Sequence, residues 1–218
     1  MLPQLRRHDL AFLRGGSRVC MADADAVVRT WLDEWIARGN PLVVTRQDAS
    51  GDPVRLGAIL PARLGRKRVG CSVAQSAVVR TASPLPIAAV LGRLPPGSVP
   101  ALRTLTARAA ELEVAVGVYG STAWEHLSGE RYRRADSDLD LVCDVTARSA
   151  LAPWLAALER ASDQGGLRID GEIRFPSGSS VAWRELARLN LDLNATVLAK
   201  ELGRVALTRI DTLMESFP

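Results

Sequence analysis

Apolar positions recur at helical spacing in one early segment and at strand spacing in the next. Val27, Val28, Trp31, Leu32, Trp35 and Ile36 fall on one stripe, which predicts a helix over 22–38, with Gly39 as its stop and Pro41 just beyond. A strand follows over 41–46, a turn over 48–53 and a second strand over 54–60, with shorter strands near 68–73 and 77–81. Residues 1–83 therefore read as a small α+β unit. The proline-rich runs Ser83-Pro-Leu-Pro86 and Leu94-Pro-Pro-Gly-Ser-Val-Pro100 place a boundary near 83–97. From 98 to 218 helices and strands alternate. Leu102, Leu105, Ala109 and Leu112 keep a helical period, and 114–119 form a buried strand. A Gly-Ser turn then opens a short helix through Leu127, and a strand spans 138–145. Leu151, Trp154, Leu155 and Leu158 mark another helix, followed by a strand over 167–175, a helix from Trp183 and a strand over 196–200. The expected class is α+β (α/β-like), with helices flanking one mixed sheet in the second unit.

The densest chemistry lies at Tyr119-Gly-Ser-Thr-Ala-Trp124 and Ser137-Asp-Leu-Asp-Leu141. Alternate strand residues share a face, so Asp138 and Asp140 project together while Leu139 and Leu141 face the other way. Two adjacent carboxylates repel unless a hard cation neutralises them. Mg²⁺ suits the pair, because it takes one or two carboxylates and completes its shell with water and phosphate oxygens. The Gly120-Ser121 turn supplies a helix N-terminus, whose free amide groups and dipole attract phosphate. Together the two halves point to phosphoryl or nucleotidyl transfer.

At 218 residues the chain forms one large domain or two small ones. The net charge of +4 and a pI near 9.4 favour anionic partners: nucleotide phosphates, an acidic protein or nucleic acid. Few aromatics are placed for stacking on bases, so nucleic acid is not expected as a partner. Cys20, Cys71 and Cys143 form no CxxC pair and are expected to be reduced thiols. No apolar run reaches the roughly 18 residues of a membrane span. The arginine-bearing N-terminus has too short an apolar stretch for a secretory signal, so a cytoplasmic protein is expected.

Gly120-Ser121 followed by Asp138-Leu139-Asp140 resembles the signature of polymerase-beta-like nucleotidyltransferases, with a longer spacing owing to the insert 125–136. Tyr119–Trp124, Leu127-Ser-Gly129, Tyr132 and Ser137–Leu141 are similar, more narrowly, to the phosphoribosyl-dephospho-CoA transferases of bacterial malonate decarboxylase. The similarity extends through Asp170-Gly-Glu172, Val181–Leu186 and Val197–Lys200, and at the other end through Arg7–Leu10 and Pro41–Val44. This resemblance implies transfer of the 2′-(5″-triphosphoribosyl)-3′-dephospho-CoA prosthetic group to a serine of the decarboxylase acyl carrier protein, with a phosphodiester formed and pyrophosphate released. It implies one or two Mg²⁺ ions on Asp138 and Asp140, and a third carboxylate that helps deprotonate the hydroxyl. That third acid is assigned to Asp170, with Glu172 on the same strand face as the alternative.

Lys200 and Arg134 are the candidate phosphate ligands, beside Gly120 and Ser121. Arg131 and Arg133 share the loop with Arg134, and the bland reading for all three is a solvated loop. Tyr132 either stacks on a base or ribose or packs in a core, and Arg184 is assigned a structural salt bridge. Arg63, Arg66, Lys67 and Arg68 read as a charged face, or else as a dock for an acidic carrier. His8 and Asp9 are read as strand neighbours that point apart, and His126 as a packed or exposed side chain. The competing functional readings are a nucleotidyltransferase that uses ATP and a catalytically silent nucleotide sensor.

Overall fold

The structure, a computed structural model, describes residues 5–21, 25–48 and 52–218. It divides into two compact units, Met1–Pro84 with Gly129–Tyr132 and Leu202–Arg204, and Leu85–Ser128 with Arg133–Glu201 and Val205–Pro218.

The first unit contains β1 (Leu10–Leu13), α1 (Ala26–Ala37), β2 (Leu42–Val44), β3 (Val54–Ile59), β4 (Arg68–Val73) and β5 (Val78–Ala82). Its sheet runs β4-β3-β2-β1-β5 with every neighbour antiparallel. Val54, Leu56 and Ala58 are buried while Arg55 is exposed, the alternation that a one-sided sheet requires. Helix α1 starts where the Asp25 carboxylate accepts from the Val28 amide at 2.8 Å. The predicted start at 22 lies outside the described residues, as does the centre of the predicted turn over 48–53. The helix ends as Gly39, at φ 75°, donates to the Ile36 carbonyl at 2.8 Å. Trp31, Leu32, Trp35 and Ile36 are buried, whereas Val27 is exposed, so the stripe is narrower than the sequence suggests. Strand β1, which begins just after the His8-Asp9 pair read as strand and was not itself delimited from the sequence, lies inside the sheet between β2 and β5. Its bounds escaped notice because Leu10-Ala-Phe-Leu13 is short and does not alternate.

The second unit contains α2 (Ile87–Val90), α3 (Val99–Glu111), β6 (Ala115–Tyr119), α4 (Gly120–Ser128), β7 (Leu139–Asp144), α5 (Arg148–Gln164) and β8 (Ile169–Arg174). It continues through β9 (Ser180–Ala182), α6 (Trp183–Arg188), β10 (Thr196–Lys200), β11 (Val205–Arg209) and α7 (Ile210–Met214). The sheet order is β11-β10-β9-β8-β7-β6, and β7 and β8 are parallel, joined through α5. Leu139, Leu141 and Cys143 of β7 and Ile169 and Ile173 of β8 enter a core that includes Leu102 and Leu105 of α3 and Trp154 and Leu158 of α5. With those residues facing the helices, strand alternation sends Asp140 and Asp170 to the opposite face. Strands β9 and β11 and helix α7 were not anticipated. Residues of β11 are half-buried or exposed throughout, leaving no apolar alternation for a sequence to display.

The chain thus has the α+β fold expected of it. Among the described residues, no helix is long and apolar enough to cross a membrane.

Candidate active site

Strand β6 delivers the chain directly into α4, and Gly120 at the junction adopts φ 67°. A side chain at this position would meet more than backbone strain. A Cβ built on Gly120 would overlap Oδ2 of Asp140 and lie 2.8 Å from its Cγ. Tyr119 and Asp140 are cross-strand partners, which brings the Asp140 carboxylate against the start of α4. The Gly-Ser turn and the second aspartate of the DxD motif are therefore in van der Waals contact. The first-turn amides of α4 have no partner within the helix by construction and carry the positive end of its dipole. Ser121, half-buried, sits in this turn.

Strand β8 places Asp170 opposite Asp140 in the parallel ladder, with Leu141 opposite Gly171 and Val142 opposite Glu172. Neighbouring strands run about 4.8 Å apart, so the two aspartates lie side by side on one face. Asp170 Oδ1 accepts from the Gly171 amide at 2.8 Å. Gly171 is required by sterics. At φ 135° its absent Cβ would stand 2.7 Å from the backbone N and C of Leu141.

Asp138 comes just before β7, and the Leu139 amide still donates to the Arg168 carbonyl at 2.9 Å. Its carboxylate accepts from Arg168 Nη2 at 2.8 Å, with Arg168 68% exposed and Asp138 21%. Glu172, 4% exposed, is held by Lys200 Nζ at 2.8 Å. Among the described residues no three His, Cys, Asp or Glu side chains converge on one point. The expected three-carboxylate set of Asp138, Asp140 and Asp170 is thus not gathered at one point among the described residues, and Asp138 pairs instead with Arg168. Asp140 and Asp170 remain side by side in register. Two oxygen-donor carboxylates beside a phosphate-attracting helix end fit Mg²⁺, which needs no more from the protein.

The remaining candidates separate by their contacts. Lys200 is committed to Glu172, so its ammonium neutralises a buried acid rather than standing open for phosphate. Glu172 is correspondingly less suited than Asp170 to serve as third acid. Arg134 is exposed in a turn closed by its amide donating to Ser137 Oγ at 2.7 Å, four residues before Asp138. Arg133 is tied down: its amide donates to Glu125 Oε2 at 2.9 Å and its Nη1 to the Arg93 carbonyl at 2.8 Å. Tyr132 is buried, which removes it as an open stacking surface. Arg184 donates to Ser162 Oγ and the Ile169 carbonyl and covers the Trp183 ring, so its structural role rests on neutral oxygens and a π face rather than on a salt bridge.

In the first unit, Arg63, itself exposed, pairs with Glu130 at 2.6 Å and Arg66 Nε donates to the Tyr132 carbonyl at 2.8 Å, while Lys67 and Arg68 are also exposed. His8 has φ 71°, a turn conformation rather than the strand geometry expected, and Asp9 pairs with Arg6 at 3.5 Å. His126 is half-buried on α4. All three cysteines are free thiols, and burial pushes those of Cys71 and Cys143 up to about 12. The Asp138–Arg168 and Glu172–Lys200 pairs had no signal in the sequence, since both depend on strand register rather than spacing.

A family model described as the phosphoribosyl-dephospho-CoA transferase MdcG C-terminal domain matches residues 85–211, and the corresponding N-terminal domain matches 6–84. The phosphoribosyl-dephospho-CoA transferase of Xanthomonas axonopodis pv. citri (strain 306) is 37% identical over 183 residues, which cover 83% of this chain and 85% of that one. The protein of the same name from Bradyrhizobium diazoefficiens is 31% identical over 206 residues, 92% of this chain and 88% of its own. No solved structure matches the chain. The protein is accordingly an enzyme of the transferase class. More narrowly, the chain belongs to the phosphoribosyl-dephospho-CoA transferase family.

Proposed function

We propose that this enzyme moves the prosthetic group of 2′-(5″-triphosphoribosyl)-3′-dephospho-CoA onto a serine of the acyl carrier subunit of malonate decarboxylase, in the cytoplasm. The observation that carries the reading is the packing of Asp140 against Gly120 at the head of α4, with Asp170 in register beside it, in a chain of this family. The serine oxygen forms a bond to the phosphorus nearest the ribose while that phosphorus loses its bond to the departing pyrophosphate oxygen. A phosphodiester remains. Asp170, half-buried on the shared face, takes the hydroxyl proton. The first-turn amides of α4 and the Ser121 hydroxyl hold the phosphates that leave, and Arg134 adds positive charge at the rim. Lys200 contributes at one remove, by keeping the charge of Glu172 compensated within the same sheet.

Asp140 and Asp170, joined by Asp138, would hold Mg²⁺, which when bound neutralises developing charge on the phosphate oxygens. Orientation of the hydroxyl against the phosphorus is then the protein's main contribution.

The test is to incubate the enzyme with Mg²⁺, apo carrier protein and either the triphosphoribosyl donor or ATP, and to follow carrier mass and pyrophosphate. The expected result is a carrier heavier by one phosphoribosyl-dephospho-CoA unit with one equivalent of pyrophosphate, from the triphosphoribosyl donor alone. Labelling from ATP would assign the chain to a different nucleotidyl transfer. No labelling from either donor would remove the proposal.

A further inference from the structure

Arg168 has no place in the chemistry above, yet it holds the first aspartate of the DxD motif. We propose that Arg168 is an exchangeable phosphate ligand: its guanidinium, paired with Asp138, would turn to the donor's departing phosphates if a cation took up that carboxylate. The inference rests on the proposed metal and phosphate site and adds a positioning and binding residue to it.

Three observations support it. The first is placement. Asp138 precedes β7 and Arg168 precedes β8, and the bond from the Leu139 amide to the Arg168 carbonyl carries the parallel register past Asp140 and Asp170. The arginine therefore stands two ladder positions before the two acids assigned to the reaction, with the Leu139–Ile169 row between. The second is exposure. The guanidinium side is 68% exposed and the carboxylate 21%, so the 2.8 Å pair belongs to the weak, solvent-screened class. A divalent ion competes readily with such a partner. The third is chemistry. A planar guanidinium matches phosphate oxygens in pairs as well as it matches a carboxylate. Arg168 thus exchanges one anionic partner for another without leaving its station. Arg134, exposed in the turn that leads into Asp138, lies four residues from the same carboxylate in the chain. Arg184 and Arg174 lack this freedom. Arg184 is bound to Ser162 and Ile169, and Arg174 is 5% exposed beside Asp144 at 3.1 Å.

The consequence is a trade that can be measured without turnover. Removing Arg168 should make the cation site easier to fill and the phosphate site harder to fill. In Mn²⁺ titrations followed by electron paramagnetic resonance, Arg168→Ala should bind the ion about two- to fivefold more tightly than the unaltered protein, the range set by a surface ion pair. In calorimetric titration with inorganic pyrophosphate at saturating Mg²⁺, the same variant should bind at least about tenfold more weakly, reflecting a lost charge-assisted contact. Arg168→Lys, which keeps charge but not the fork, should fall between the two in pyrophosphate affinity. Unchanged pyrophosphate affinity in Arg168→Ala would show the ion pair to be structural only and would overturn the proposal. Weaker Mn²⁺ binding would overturn it too, since Arg168 would then be holding Asp138 in place for the metal. Asp140→Asn separates this idea from the reading beneath it. If that variant binds Mn²⁺ as well as the unaltered protein, the metal site itself is wrong. If it loses Mn²⁺ while Arg168→Ala changes neither titration, only the exchange role of Arg168 fails. Arg168 is largely exposed, so both variants should fold, and thermal melting checks this directly.

Discussion

Replacing Gly120 by alanine tests whether the close packing of turn and carboxylate sets the site. Two costs follow from the structure. Holding a non-glycine residue at φ 67° costs about 1–2 kcal/mol in backbone strain. The added methyl would also stand 2.8 Å from Asp140 Cγ, where ordinary contact begins at 3.4 Å, and would overlap Oδ2 outright. The carboxylate must swing away by something on the order of 1 Å, a displacement that costs transfer roughly 10²-fold when it affects a positioned group. Gly178→Ala serves as the control. That glycine has φ 86° with nothing within 4 Å of its missing Cβ, so it carries the strain without the collision. Chemical denaturation should show Gly120→Ala destabilised by about 2–3 kcal/mol and Gly178→Ala by about 1–2 kcal/mol. In the transfer assay, Gly178→Ala should match the unaltered enzyme while Gly120→Ala loses about a hundredfold. Equal transfer rates for the two variants would refute the idea that Gly120 positions Asp140.

Gly171→Ala should be worse for folding than for chemistry, because its methyl would meet backbone atoms of Leu141 at 2.7 Å in the centre of the sheet. We expect a loss above about 3 kcal/mol by denaturation, or an insoluble product; a stably folded, active variant would contradict this. Lys200→Ala leaves Glu172 buried without its 2.8 Å partner. The loss should reach about 2 kcal/mol, below that of a fully buried pair because Lys200 is one-third exposed, and Lys200→Ala with Glu172→Gln should recover much of it. The buried thiols of Cys71 and Cys143 are raised from 9.0 to about 12, so folding favours their neutral form. Their contribution to stability is complete below pH 9 and disappears as pH rises toward 12. Melting temperature should fall across that window, and less steeply after Cys143→Ala; identical slopes would contradict the assignment.

The motif at the heart of the site was legible because it is local. A strand, a Gly-Ser turn, a helix and a second acid-bearing strand follow one another within some thirty residues, and each has its own periodicity or turn signal. The position of Asp170 was also within reach, since residue type and strand alternation narrowed the choice to two acids. What distinguishes their surroundings is not local. Glu172 meets Lys200 across the intervening strand β9, and Asp138 meets Arg168 across a ladder whose register emerges only when β7 and β8 pair in parallel through α5. Strands β1 and β9 were too short to show alternation, and β11 buries neither face. Their identity comes from the neighbours they pair with. The Val27 end of the predicted helical stripe failed for a related reason, since periodicity gives a face but not how far the core reaches along it.

The most direct test of the site is single-turnover transfer to the carrier protein at saturating Mg²⁺, comparing the unaltered enzyme with Asp140→Asn and Asp170→Asn. Both substitutions preserve size and should preserve the fold, and both should slow phosphodiester formation by at least about a hundredfold. Transfer at the unaltered rate by either variant would mean that the registered aspartates beside Gly120 are not where the phosphorus reacts.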